Sequence, residues 1–389
     1  MTKYSILRTT TGLTRDPFGS SRPGARRPEL GEQQLTVERL SRKELAELAR
    51  DPRVEAIASS MPIRVPVSAS DDDMNRDVDV WGLTAIEANR CEYDGSGVVV
   101  AVLDSGIDLD HPAFTGMELA LRNFLEGKPK HDVTDLAGHG THCAGTIFGR
   151  DVDKVRIGVA PGVQKALIGR VIDRNLKGQS IALFQGMQWA LEQGANVINI
   201  SIGLNFMAMV DELLAEGWPE HAAVARTLDA YRGNLRMCDA IMGLARARGT
   251  IVVAATGNES AREQDPRYDV TAQLPASAED VVAVGAVAKT PEGYVVPGFS
   301  NSLPTIAAPG VHVLSAAPGG GLGLRGGTSM AAPHVSGLAA LWWQATNQAD
   351  MPTTARTVTA QLLATARREG FAPSVGQSDR GVGLARAPR

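Results

Sequence analysis

Three short segments of this chain set reactive side chains beside glycine-containing turns. They are Val100-Ala-Val-Leu-Asp104-Ser-Gly-Ile-Asp108, Gly138-His139-Gly-Thr-His142 and Gly326-Gly-Thr-Ser329-Met-Ala-Ala-Pro333. Together they offer a carboxylate, an imidazole and a hydroxyl in the order Asp, His, Ser. A serine hydroxyl is a poor nucleophile near neutral pH. An imidazole must take its proton, and a carboxylate must hold that imidazole in the right tautomer. Ser329 is therefore the candidate nucleophile, His139 the candidate base and Asp104 its orienting partner. Asp108 and Asp110 are rivals in sequence, but Asp104 ends an apolar run, and Ser105-Gly106 then turns the chain. Met330 to Trp343 is apolar and alanine-rich, which predicts a helix starting at or just after Ser329, with Pro333 in its first turn. The Ser329 amide at that helix N-terminus is a donor for negative charge developing on a substrate oxygen.

The elements that must position these residues alternate along the chain. Val98 to Leu103, Lys165 to Ile172, Val197 to Ile200, Ile251 to Ala255 and Val281 to Val287 are apolar, β-branched runs. Helical stretches such as Ile181 to Gln193 and Met237 to Arg248 lie between them. This predicts an α/β fold: a doubly wound, mostly parallel sheet with helices on both faces. Asp104 falls at a strand end and Asn258 just beyond another, where ligands of such sheets bind. The first 75 residues read differently. Tyr4 and Ile6, Leu35 and Val37, and Arg53 to Ile57 are strand-like. Asp16 to Gln33, which includes Arg22, Arg26 and Arg27, reads as a solvated loop. Ser41-Arg-Lys-Glu44 is a capping box ahead of a helix carrying Leu45 and Leu48 and ended by Asp51-Pro52. This is a small α+β unit. Val65 to Asp79, with Asp71-Asp72-Asp73, has no periodicity and reads as a linker.

Other chemistry fits less well. His139 and His142 stand at i, i+3, but a zinc protease would carry H-E-x-x-H and a third ligand, so His142 reads as a structural helix residue. Cys143 reads as a small buried residue on the helix after His139 rather than a second nucleophile. Three cysteines, Cys91, Cys143 and Cys238, are too few and odd in number for a disulfide framework. Gly319 to Gly327 lacks the G-K-[ST] ending of a phosphate loop and reads as a flexible approach to Ser329. The 389 residues suffice for one large domain and a small extra one. A net charge of −4 gives no field for nucleic acid or a membrane surface. No segment has the length of a membrane-spanning helix. Met1 to Gly19 lacks the apolar stretch of a secretory signal, so the expected place is the cytoplasm, unless a leader has been lost.

In their order and surroundings the three segments resemble the subtilisin-like serine protease family, from about Trp81 to the C-terminus. An α/β-hydrolase would run Ser, Asp, His around G-x-S-x-G, which Gly327-Thr-Ser-Met-Ala331 does not match. The resemblance implies that Asn258, in Ala255-Thr-Gly-Asn258-Glu, is an oxyanion-hole donor beside the Ser329 amide. A neutral side-chain N–H can face the oxyanion without becoming a competing base. It implies peptide-binding edges at Ser201-Ile-Gly203 and Arg170 to Gly178. Ser201, Gly203, Ala254 and Gly257 then border the pocket for the residue before the cut, with Leu204 where many relatives have glycine. Relatives often bind calcium after the histidine helix. Here Arg150-Asp-Val-Asp-Lys-Val-Arg156 offers only Asp151 and Asp153, and Ala113 replaces a ligand carboxylate. No cofactor is required.

The run Leu48-Ala-Arg-Asp-Pro-Arg-Val-Glu-Ala-Ile57 resembles the end of the family's inhibitory propeptide. It implies an inhibitory domain and linker over 1–75, a catalytic domain over 76–389, and a cut between Met61 and Asp79. Residues 205–236 form an insertion, with Met207 to Leu214 and Ala222 to Leu235 expected as a surface helical hairpin broken at Trp218-Pro219. The function implied is a serine endopeptidase made as an autoinhibited precursor. Its partners are a protein or peptide substrate, such as an intracellular precursor, and its own N-terminal domain as intramolecular inhibitor. The rivals are a catalytically silent binding protein on this fold, or an esterase or peptide ligase with the same triad.

Overall fold

The computed structural model describes residues 2–9, 33–65, 80–349 and 351–389. Arg22, Arg26, Arg27 and the acidic triplet at 71–73 lie outside these, as does most of the expected linker. The first three strands, β1 (Thr2–Thr9), β2 (Gln33–Leu40) and β3 (Val54–Ser59), form an antiparallel sheet in the order β2-β1-β3. Between β2 and β3 runs α1 (Arg42–Leu48), started by the expected capping box. Glu44 N–H donates to Ser41 Oγ, and Ser41 N–H to the Glu44 carboxylate. A short strand β4 (Pro62–Arg64) and a one-turn helix α2 (Trp81–Ala85) follow.

The large unit is built on strands β5 (Val99–Asp104), β6 (Glu118–Asn123), β7 (Lys165–Arg170), β8 (Lys177–Gln179), β9 (Val197–Ile200), β10 (Gly203–Leu204) and β11 (Ile251–Ala255). It continues through β12 (Val282–Thr290), β13 (Gly293–Val295), β14 (Ile306–Pro309), β15 (Val313–Ala317) and β16 (Gly321–Arg325). The central sheet runs β13-β12-β11-β9-β5-β7-β6, with β14 also on β12, and only β13 is antiparallel. Its helices are α3 (His139–Phe148), α4 (Ser180–Glu192), α5 (Phe206–Ala215), α6 (Glu220–Arg248), α7 (Thr328–Gln348) and α8 (Ala355–Ala364). Alternation along β5 explains why both faces are covered. Val100 and Val102 point into a core shared with α3 and α7. Ala101 and Leu103 point into a second core with α4 and α6.

Four local expectations are corrected. The stretch Met237 to Arg248 is not a separate helix, because α6 runs unbroken for 29 residues. One of its two glycines, Gly233, lets the helix approach β3: an added Cβ would lie 3.1 Å from the Ile57 carbonyl oxygen. The hairpin of α5 and α6 is therefore not simply a surface feature. Ala223, Thr227, Ala230 and Asn234 are buried, and Asn234 Nδ2 donates to Ser59 O at 2.9 Å. Gly319 to Gly327 is not a loose approach. Residues 321–325 are β16, laddered to β15, since glycine alternates there with Leu322 and Leu324. Pro333 lies in the second turn of α7, not the first.

β4 is the least expected element. It lies between two strands of the large unit, antiparallel to both. Ile63 and Arg64 pair with Leu204 and Gly203 of β10. Pro62, Ile63 and Arg64 pair with Gln179, Gly178 and Lys177 of β8. Ile63 is fully buried.

Candidate active site

Asp104 ends β5, and its Oδ1 accepts from Ser105 N at 2.7 Å and from His139 Nδ1 at 2.7 Å. Both side chains are buried. The first turn of α3 comes this close because glycines stand on both sides of the contact. A Cβ on Gly140 would lie 2.2 Å from the Gly106 oxygen. One positioning residue escaped the sequence reading. Asp135 is buried and gathers Gly138 N, Thr141 N, Thr141 Oγ1 and Ser105 Oγ at 2.7–2.8 Å. It caps the helix that carries His139, and Ser105 Oγ in turn accepts from Gly140 N at 2.9 Å. An acidic residue three positions before a Gly-His helix start was the available signal.

Burial works to lower the pKa of His139, but the Asp104 carboxylate outweighs it and holds the imidazole above its ordinary 6.5. His139 Nε2 is buried with no hydrogen-bond partner among the described residues. Ser329 sits in the first turn of α7, and its Oγ donates to Ser201 O at 3.0 Å. Pro333 has no N–H to offer the Ser329 carbonyl four residues back. That oxygen instead accepts from Ser201 Oγ at 3.0 Å and from Cys143 Sγ at 3.5 Å. Cys143 also lies 3.9 Å from His139 Nδ1, so one small buried side chain touches both the imidazole and the serine's backbone.

Asn258 binds the start of α7. Its Oδ1 accepts from Thr328 N at 3.0 Å and Thr328 Oγ1 at 2.8 Å, which turns the NH2 half of the amide the other way. Gly257 N donates to the same Thr328 hydroxyl at 3.2 Å. Ala254 is buried in β11, Ser201 follows β9, and Gly203 pairs with Arg64. Leu204 is buried and carries the β10 pairing with Ile63. Asp108 is not in this cluster: its carboxylate accepts from Gly319 N at 2.8 Å. Asp110 is exposed.

Among the described residues, Asp104, His139 and Cys143 are the one group of three possible ligand side chains within 4.8 Å. Asp104 Oδ1 and His139 Nδ1 are already bonded to each other, and burial pushes the Cys143 thiol towards its protonated form. His142 faces the β15–β16 ribbon, with Nε2 donating to Val313 O at 3.0 Å, and burial lowers its pKa to about 3. Asp151 and Asp153 are exposed on either side of Val152 in a tight turn, closed by Val152 and Val155 bonding each other at 2.8 and 3.0 Å. The structure brings no third carboxylate to them among the described residues.

A buried Asp–His pair at a parallel-strand end, linked through Cys143 to a serine at a helix N-terminus, is the arrangement of a serine hydrolase built on an α/β sheet. The subtilase family model matches residues 95–383. An intracellular serine protease of Paenibacillus polymyxa is 34% identical over 257 residues, covering 65% of this chain and 68% of that protein. Subtilisin NAT of Bacillus subtilis subsp. natto is 31% identical over 312 residues, covering 78% and 68%. The major intracellular serine protease of Bacillus subtilis (strain 168) is 32% identical over 251 residues, covering 64% and 68%. The chain belongs to the subtilase family of serine endopeptidases. No helix among the described residues is long and apolar enough to cross a membrane.

Proposed function

We propose that Ser329, His139 and Asp104 are the catalytic triad, that Asn258 and the Ser329 amide form the oxyanion hole, and that residues 1–75 inhibit the catalytic domain of 76–389. The observation that carries this reading is β4 seated between β8 and β10, beside the buried Asp104–His139 pair. A substrate takes the same place as an added strand, bonded through its backbone to both edges. Asn205 N donates to Pro62 O at 2.8 Å, so the hydrogen-bonded pairs recur every second residue towards Gly203 and then Ser201. A substrate in this register presents an N–H to Ser201 O, the acceptor that now holds the Ser329 hydroxyl. The hydroxyl turns to His139 Nε2, gives up its proton as Oγ attacks the substrate carbonyl, and the imidazolium is steadied by Asp104. The tetrahedral oxyanion draws on the Asn258 and Ser329 N–H donors. His139 then protonates the leaving amine, and water releases the acyl group by the same route.

Ser201, Gly203, Ala254 and Gly257 border the pocket before the cut, and their small uncharged character suits a nonpolar side chain. The N-terminal sheet packs on α4 and α6, and that docking holds β4 at the cleft at a high local concentration. The names of two of the relatives support action inside the cell, and the substrate we propose there is a specific protein or precursor peptide. The test is intact mass against time for the wild type and Ser329→Ala. The wild type is expected to be cut between Met61 and Asp79 as peptidase activity rises, while Ser329→Ala stays whole and inactive. A wild type that is fully active at full length would remove the inhibitory reading. Activity on esters alone would turn the reading to an esterase.

A further inference from the structure

Arg64, opposite Gly203 on β4, reaches across the groove to Glu259, with Nη2 3.4 Å from Oε1. Glu259 follows Asn258 in sequence, and its side chain is only 20% exposed. Its other oxygen, Oε2, accepts from Asn301 Nδ2 at 2.9 Å. Asn301 is fully buried, and its Oδ1 accepts from the backbone N–H of Glu259 and Ser260 at 3.0 Å each. The carboxylate is thus held from beneath through one oxygen and presents the other to whatever strand lies in the groove. Nothing in the catalytic cycle uses it. The only cation it meets among the described residues is Arg64, a side chain of the strand in the substrate's place.

We infer that Glu259 selects a basic side chain, arginine or lysine, at the third residue on the acyl side of the cleaved bond. The inference rests on reading β4 as a strand in the substrate's register. That register fixes the position. The residue opposite Ser201 is the one whose carbonyl meets the Ser329 hydroxyl, because Ser201 O holds that hydroxyl at 3.0 Å. Counting back two places reaches the residue opposite Gly203, which Arg64 occupies on β4. A guanidinium or ammonium there gains a charge-assisted contact with a fixed acceptor. An acidic side chain meets like charge at the same distance. The pair is partly exposed, so its effect is moderate, about threefold to fivefold in kcat/KM, and screened by salt. It lies away from the reacting atoms, so it acts mainly on KM.

The test uses the chain after its peptidase activity has reached a plateau. Three fluorogenic peptides differ only at the third acyl-side residue, as arginine, glutamine or glutamate. The wild type is expected to prefer arginine to glutamine by about threefold to fivefold, and glutamine to glutamate, with the spread shrinking at about 0.5 M salt. Glu259→Gln is expected to level the three, and Glu259→Lys to favour the glutamate peptide. Glu259 adjoins Asn258, so ratios within each variant are compared rather than absolute rates. Equal wild-type rates on the three peptides, or a preference that survives in Glu259→Gln, would overturn the assignment while leaving the peptidase reading intact. Hydrolysis of none of them would overturn both.

Discussion

Ser329 rests on Ser201 O, and His139 Nε2 has its lone pair or proton ready for a partner that must turn towards it. The hydroxyl and imidazole are thus separately placed, and in the mechanism proposed above a substrate N–H displaces the hydroxyl from Ser201 O. Ser329→Ala removes the attacking oxygen and little volume, so peptide hydrolysis is expected to vanish with the thermal transition unchanged. Wild-type turnover by that variant would exclude Ser329 as nucleophile. Asn258→Ala is expected to lower kcat by about 10²- to 10³-fold with little change in KM, the magnitude established for removing such a donor from a subtilisin. A change confined to KM would make Asn258 a substrate-binding residue. The pH profile follows from the Asp104–His139 pair. Only neutral imidazole accepts a proton, and Asp104 raises the pKa, so kcat/KM is expected to climb with pH through a midpoint above 6.5. Asp104→Asn is expected to bring that midpoint down and to cost about 10⁴-fold in kcat, since the imidazole loses its tautomer. An unshifted midpoint would show that some other group sets it.

At the scale of elements, α6 and β4 are linked through β3. α6 carries its buried face against β3, and the chain then leaves β3 to enter the groove as β4. Gly233→Val would drive a side chain into the Ile57 backbone, 3.1 Å from its oxygen at the Cβ alone. Forcing that contact apart costs on the order of 1–3 kcal/mol. The full-length variant is expected to show more peptidase activity at the outset and to lose its N-terminal segment sooner. A time course identical to the wild type would show that α6 does not hold the N-terminal sheet on the catalytic unit. These relations were only partly legible in the sequence. β9 and β11 have the boundaries their apolar runs predicted, because a strand buried on both faces writes itself as a continuous β-branched stretch. Asp104, His139 and Ser329 stood out because each sits where an element starts or stops. β4 did not, because three residues paired by backbone leave no period. The length of α6 was hidden because its sequence reads as divided at Arg236, between Ala222 to Leu235 of the insertion and Met237 to Arg248 beyond it, whereas the helix runs through that point unbroken. Pro333 was misplaced because the carbonyl it strands is satisfied by Ser201, just past β9, and by Cys143 on α3, and neither is near it in sequence.

At the scale of the whole molecule, two buried histidines tie stability to pH. Burial lowers the pKa of His142 to about 3 and that of His334 to about 4, and each keeps one N–H bonded to a backbone carbonyl. The unfolded chain takes up protons at these sites from about pH 6.5 downwards, and the folded one does not. Stability is therefore complete above 6.5 and falls as pH drops towards 4, by about 2 kcal/mol for each histidine at pH 5. His139 has the opposite sign: its stabilising pair with Asp104 is fully present below 6.5 and fades as pH rises through its raised pKa. It is flat across the acid window and does not offset the loss. The melting temperature is expected to fall steeply between pH 6.5 and 4.5, and His334→Gln to make that fall shallower. A melting temperature level across this range would mean that the two histidines titrate normally in the folded chain.

The claim on which the rest depends is that Ser329 is an activated nucleophile in a cleft shared with the chain's own β4. Peptide mapping after reaction with a fluorophosphonate measures this directly, because the reagent reports the activated hydroxyl without needing the right peptide. One adduct per chain is expected, on Ser329, forming slowly at first and faster as the N-terminal segment is released. It is expected to be absent from His139→Ala. No adduct, or one on another residue, would contradict the assignment.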